Sequence, residues 1–415
     1  MNQKIELNSE IGKLEAVIIH TPGKEVENMT PTNVEKALYS DILNLSVISE
    51  EYLQFKGVLD KVTKTYEVHD LLFKIICNNK VKENLINKIC CNEGVPQIID
   101  FLLRQTNEAL AKQLLEGVVM KKNHLTNYLS KDKYILQPLH NFFFTRDAAI
   151  AFKNEIFIGR MSNKIRDRES FIMKAIFDYH PQFSGNVVSP YKSKHFHENL
   201  TIEGGDFLVM RDNLIIIGLS NRTSSHGIDF ILKTLKDNNE HCYIIVQELP
   251  GFPESFIHLD MVFTLVDYGK CVIYEPVILN SKYQTLLIET ENKKVKPIKE
   301  FDNILTALHS IGIEMESISC GGSDAYNQER EQWHSGANFV AIEPGKIIGY
   351  DRNIHTIEAL NNAGFEVISS NDIVNESKKL EEYKKCVITV PGAELSRGGG
   401  GCRCMTMPIK REKLS

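Results

Sequence analysis

Apolar and polar positions fall along this chain in blocks whose period changes several times. Leu14 to His20 reads LEAVIIH, an unbroken apolar run closed by Thr-Pro-Gly, which predicts a buried strand entering a turn. From Ser49 to about Tyr66 the apolar residues Leu53, Phe55, Val58, Leu59 and Val62 come near helical spacing, so a helix follows. Between about Leu71 and Leu136 the texture becomes Lys, Asn, Leu and Ile at helical spacing, broken near Asn78 to Lys80, Asn92 to Pro96 and Gly117. That stretch predicts an all-helical insert, dividing the chain into 1–70 with 138–415 and a separate 71–137.

After Pro138 a rough repeat of strand, turn, strand and helix takes over. Its first copy runs from Phe142 to Met161 and turns at Lys153-Asn154, and its second from Gly204 to Thr223 and turns at Asp212-Asn213. The third spans His258 to Pro276, turning at Tyr268-Gly269, and the fourth Asn338 to Asn353, turning at Pro344-Gly345. MTMPIKRE near the C-terminus is a fifth, partial copy. Each copy opens on polar residues able to do chemistry: Asp147, then Glu203 and Asp206, then His258 and Asp260, then Asn338, then Cys404. Repeats arranged about a pseudo-rotation axis would bring those positions into one pocket.

Composition narrows the function classes. With 42% hydrophobic and 25% charged residues, the chain of 415 residues has the make-up of a globular protein. Its net charge of -6 gives no footprint for a nucleic-acid backbone or an anionic membrane, so neither partner is expected. The apolar runs Leu214 to Ile217 and Cys242 to Val246 are far below the roughly 18–20 residues that cross a bilayer. MNQKIELNSE lacks the basic and apolar regions of a secretory signal, so a cytoplasmic location is expected. Nine cysteines are scattered without a scaffold spacing, which disfavours a disulfide framework and structural zinc. Cys242 and Cys271, inside strand-like runs, read as small buried hydrophobes.

Cys404 differs, because the glycines Gly398 to Gly401 deliver it and Cys402 just before the closing strand. Read as part of a strand, His258 and Asp260 project to one side, as a general base and its partner would. Glu203 and Asp206 are two acids three apart, joined by glycines that permit an unusual backbone path. Asp147 with Arg146, and Arg166 and Arg222, would each pass singly for solvated surface charges. Together these residues supply a thiol, an imidazole, carboxylates for a cation and arginines for an anion. A substrate with a guanidinium at one end and a carboxylate at the other fits that set, since a thiolate suits attack on a guanidinium carbon held by carboxylates.

SEIGKLEAVIIHTPG, FTRD, EGGD, HLDMVF, EREQW, GYDRN and the terminal GGGGCRCMTMP resemble the arginine deiminase family, in order and over nearly the whole chain. The resemblance implies an α/β fold, a fivefold pseudosymmetric pentein propeller carrying an inserted all-helical bundle. It implies hydrolysis of L-arginine to L-citrulline and ammonia through a covalent amidino intermediate, with no cofactor, no metal and a homo-oligomer, dimer or tetramer. By that resemblance Cys404 is the nucleophile, chosen over Cys402. His258 is the general acid/base, Asp147 and Asp260 grip the guanidinium, and Glu203 supports them. Arg166, Arg222, Asn141 and Gly398 match the groups around the amino-acid end. The loop arginine common in the family is here Gly399, for which Arg397 or Arg403 could stand in. The rival readings are an amidinotransferase or a deiminase of another guanidine, and a non-catalytic propeller that binds partners.

Overall fold

Strand Phe207–Arg211 turns at Asp212-Asn213 and returns antiparallel as Leu214–Leu219, and the helix Ser225–Asp237 then crosses over to Cys242–Glu248, parallel to it. Leu214 to Ile217 is apolar at every position because both faces of the strand are covered. Ile215 and Ile217 enter one core, and Leu214 and Ile216 enter another. This computed structural model describes residues 3–29, 39, 41–192, 198–280 and 282–414.

The same arrangement recurs. Ala149–Phe152 and Glu155–Ile158 are antiparallel, and the latter runs parallel to Asn186–Val188 beyond the helix Asp167–Tyr179. Phe263–Asp267 and Lys270–Ile273 pair likewise, with Glu316–Ser319 parallel after the helix Ile304–Ser310. Val340–Glu343 and Lys346–Tyr350 are followed by the helix Ile354–Asn362 and by Cys386–Val390, which also pairs with Glu366–Ser369. The last unit joins both ends of the chain: Met407–Arg411 lies antiparallel to Leu14–Ile19, and the helix Leu45–Val62 crosses to Lys64–Glu67. The hairpins and turns follow the sequence-based expectation, and the fold is mixed α/β.

Two expectations need correcting here. The helix expected from Ser49 to Tyr66 ends at Val62, because Thr63 is extended and Lys64–Glu67 joins the sheet beside Leu14–Ile19. The segment expected to be all-helical contains the helices Val68–Ile76, Asn79–Asn92, Ile99–Leu103, Asn107–Glu116 and Leu125–Leu129, but also a small pair of strands, Val118–Val119 with Tyr134–Leu136. Asn78 caps the helix Asn79–Asn92 by accepting backbone N–H groups, which explains the break read there, and Thr106 caps the helix Asn107–Glu116 in the same way. Buried Arg168 ties the segment to the helix Asp167–Tyr179, donating to Glu93, to Leu114 O and to Gln137 O. Among the described residues no helix is long and apolar enough to cross a membrane.

Candidate active site

The polar residues that open the five units lie in tight turns just before each first strand, and the turns are bonded to one another. The Arg146 N–H donates to Cys404 O at 3.1 Å, and the Gly204 N–H to Asp147 O at 3.1 Å. The Leu259 N–H donates to Asp206 Oδ1 at 2.9 Å, and Asn338 Nδ2 to Asp260 O at 3.0 Å. Asn338 Oδ1 then accepts the N–H groups of Arg403 at 2.9 Å and Cys404 at 3.3 Å, which returns the series to its start. His258 and Asp260 are therefore not neighbours on a strand, since Leu259–Met261 is a 3-10 turn that His258 precedes. Gly204 and Gly205 serve close approach rather than an unusual backbone path. A Cβ on Gly204 would lie 2.0 Å from Arg146 O, and one on Gly205 would lie 2.5 Å from His258 Nδ1.

Cys404 is 4% exposed, and its Sγ lies 3.7 and 3.9 Å from the oxygens of Asp260. Asn338 Nδ2 points at the same sulfur from 3.2 Å. Burial, then the negative charges of Asp260 and Asp147, push the thiol well above its ordinary value, so it is neutral on its own. His258 goes the opposite way. Burial alone would lower it, but Asp147, the 3.0 Å contact of Nε2 with Glu203 Oε2, and Asp206 outweigh that and raise it to about 9. Glu203 is opposed by burial yet falls to about 2, held by His258, Arg222 and Arg166. The site thus holds a neutral thiol and an imidazolium at neutral pH.

Asp260 and Asp147, the carboxylates expected to face a guanidinium, each spend one oxygen on an arginine. Asp260 Oδ2 accepts from Arg403 Nη1 at 2.8 Å, and buried Glu10 takes the rest of that guanidinium at 2.9 and 3.1 Å. Asp147 Oδ2 accepts from Arg166 Nη1 at 2.8 Å, while Oδ1 takes the Gly205 N–H at 3.2 Å and lies 3.8 Å from His258 Nδ1. Asp147, Glu203 and His258 bring three potential metal-ligand atoms within 4.8 Å of one another. Arg166, 2.8 Å from Asp147 and 3.7 Å from Glu203, already supplies a positive charge there.

A cavity of about 680 Å³ opens over these groups, lined by Cys404, His258, Asp147, Arg166, Arg222, Asn141 and Gly398 among others. Asp260 and Glu203 stand behind it, 0% exposed. The two arginines differ. Arg166 is fully engaged, with Glu169 bidentate at 2.8–3.2 Å in addition to Asp147. Arg222 sits 3.9 Å from Glu203, and its Nη1 has no hydrogen-bond partner among the described residues. Neither proposed stand-in for the loop arginine reaches the cavity: Arg397 pairs with Asp41 and Glu394, and Arg403 is buried between Glu10 and Asp260. Gly399 has a φ of +80°, and among the described residues no atom lies within 4 Å of a Cβ placed there. Cys402, 0% exposed, does not line the cavity.

Sequence reasoning passed over Glu10 and Glu169, and it saw Asn338 only as one polar residue in a series. The partners of Glu10 lie 199 and 393 residues away and those of Asn338 65 to 78, while Glu169 meets Arg166 three residues back, so no local pattern marks them. Trp333, at the end of the helix Ala325–Trp333, and Phe144 also line the cavity.

The family model described as arginine deiminase matches residues 35–411. Arginine deiminase of Listeria monocytogenes serotype 4b (strain CLIP80459) is 31% identical over 432 residues, covering 100% of this chain and 99% of the relative. Arginine deiminase of Bacillus cereus (strain B4264) is 33% identical over 435 residues, covering 100% of both. Among solved structures, the product-bound N-terminal domain of ArgZ, a cyanobacterial arginine dihydrolase of the ornithine-ammonia cycle, has a TM-score of 0.53 at 14% identity, covering 96% of this chain and 99% of that one. At that identity the likeness speaks for the fold alone.

Proposed function

The chain belongs to the arginine deiminase family, hydrolases of the guanidino C–N bond, and on that premise we propose that Cys404 carries the conversion of L-arginine to L-citrulline and ammonia through a covalent amidino adduct. The observation that carries the reading is the Cys404 thiol at the floor of the cavity, 3.7 Å from Asp260 and facing the chamber that Asp147 and His258 also line.

Charge explains when the thiol acts. Asp260 and Asp147 are what keep Cys404 protonated, after burial itself. A guanidinium settling against their remaining oxygens offsets that charge, so the thiol releases its proton to solvent only with substrate in place, His258 being already protonated. Sγ then attacks the guanidinium carbon, and the C–N bond to the departing nitrogen breaks. His258, an imidazolium held by Glu203 and Asp147, gives that nitrogen its proton, and ammonia leaves. The imidazole next takes a proton from water as the water adds to the amidino carbon. Collapse breaks the C–S bond, freeing citrulline and the thiol. Asn338 Nδ2 donates toward the sulfur while it carries negative charge.

At the amino-acid end Arg222 receives the α-carboxylate, since Arg166 is already occupied by three acids and acts by fixing Asp147. Asn141 and Gly398 line the same cavity. The pentein propeller reading is supported by how the three cores are shared. One joins the first, second and last units with the helical segment, another the second, third and fourth, and a third the fourth and last with Phe143 and Phe144 of the first and Met261 of the third. Residues 71–137 supply Leu72, Ile86 and Leu114 to the first of these cores, which supports reading them as a helical insert packed on the catalytic units.

The test is a citrulline assay run beside an ammonia assay, with L-arginine alone and then with an amine added. Equal yields of both products are expected. Amidino transfer to an added amine without ammonia release would favour the amidinotransferase reading instead.

A further inference from the structure

Asp206 is the acid of the Glu203-Gly204-Gly205-Asp206 turn that the chemistry above leaves unused. It is 0% exposed and does not line the cavity, and among the described residues no lysine or arginine is paired with it. A carboxylate buried in that way is costly, and burial pushes it up to about 7 against the lowering effect of His258, Ser220, Thr223 and the Leu259 N–H. Its retention calls for a structural gain elsewhere.

That gain is visible in where its oxygens lead. Oδ1 accepts the Leu259 N–H at 2.9 Å, holding the backbone immediately after His258. Oδ2 accepts the Ser220 hydroxyl at 2.6 Å, and Ser220 Oγ in turn accepts the N–H groups of Arg222 at 2.9 Å and Thr223 at 3.1 Å. The Thr223 hydroxyl accepts the Glu203 N–H at 3.2 Å. Space is reserved for the carboxylate as well, since a Cβ on Gly218 would fall 2.3 Å from Asp206 Oδ1.

We propose that Asp206 is a positioning residue whose two oxygens set the turn bearing His258 and the turn bearing Arg222 in register with each other, so that proton transfer and carboxylate binding are built on one brace. This rests on the roles given above to those two residues. Asparagine would not replace it. An amide donor facing Ser220 would leave the serine hydroxyl, which already accepts two N–H groups, with no acceptor for its own proton.

Ser220→Ala cuts the arm to Arg222 and leaves the arm to Leu259, while Ser220→Thr keeps the hydroxyl and Asp206→Asn disturbs both arms. Each variant, as the full chain, is assayed for kcat and KM with L-arginine and with agmatine, which lacks the carboxylate, and titrated with both by calorimetry. With Ser220→Ala, KM and Kd for arginine should rise about tenfold while kcat falls less than about threefold, and agmatine should be nearly unaffected. Ser220→Thr should restore the arginine preference. Asp206→Asn should lower kcat about tenfold or more in addition. Equal losses for arginine and agmatine in Ser220→Ala, or no recovery in Ser220→Thr, would overturn the brace. A wild-type protein that formed no citrulline would sink the functional reading instead, and the calorimetric ratio would still decide the brace.

Discussion

At the scale of single residues the site is governed by which charges face which atom. His258 stays protonated well above its usual range because Asp147 and Glu203 favour the imidazolium more than burial disfavours it. Its raised value means that the acid form persists as pH rises and is lost only through about 9. The kcat for arginine should accordingly hold level through neutral pH and fall above about 9. Glu203→Gln should move that break downward, and a break that stayed in place would remove Glu203 from the account. His258→Ala should cost about 10²–10⁴ in turnover with the fold intact, as removal of a general acid does. The two arginines should part company. Arg222→Leu should erode the preference for arginine over agmatine, whereas Arg166→Leu, which strips Asp147 and Glu169 of a buried partner, should lower kcat for both substrates alike.

At the scale of elements, the turns that precede the five first strands place the chemistry, and two glycines decide how closely they approach. Gly205→Ala puts a methyl 2.5 Å from the ring of His258, so the histidine must shift. A kcat loss of tenfold or more, with thermal unfolding little changed, is the expected outcome of the assay. The hairpins were legible in the sequence because apolar runs of four to six residues are interrupted by Lys153-Asn154, Asp212-Asn213 and Tyr268-Gly269. The strands that complete each sheet were not. Asn186–Val188, Glu316–Ser319 and Lys64–Glu67 are short and half polar, and only long-range parallel pairing makes them strands. For the same reason the alternation read into His258 and Asp260 failed: the turn before the strand, with Asp206 holding Leu259, orients them. Asn338 had the right position in the repeat, but its grip on Cys404 exists only across 66 residues of chain.

At the scale of the whole molecule, buried ion pairs connect parts distant in sequence. Glu10 near the N-terminus reaches Arg403 beside Cys404, and Arg168 joins the helical segment to the first unit. Arg168→Ala should destabilise the fold by on the order of 3 kcal/mol in urea unfolding, because it leaves Leu114 O and Gln137 O without their donor, while the kcat of the folded fraction is kept. Glu10 and Glu203 are both held down at about 2, below the ordinary carboxylate range. Their contribution to stability is therefore complete above about 4.5 and drains away as pH falls toward 2. Substituting either should make the variant less sensitive to acid than the parent in a pH series of urea titrations. The central claim is that one thiol, Cys404, forms a bond to the guanidinium carbon of arginine. It is tested most directly by rapid acid quench with L-arginine followed by intact-protein mass spectrometry of the wild type, Cys402→Ser and Cys404→Ser. The first two should carry the amidino adduct and the third should not. An adduct retained by Cys404→Ser and lost from Cys402→Ser would contradict the account.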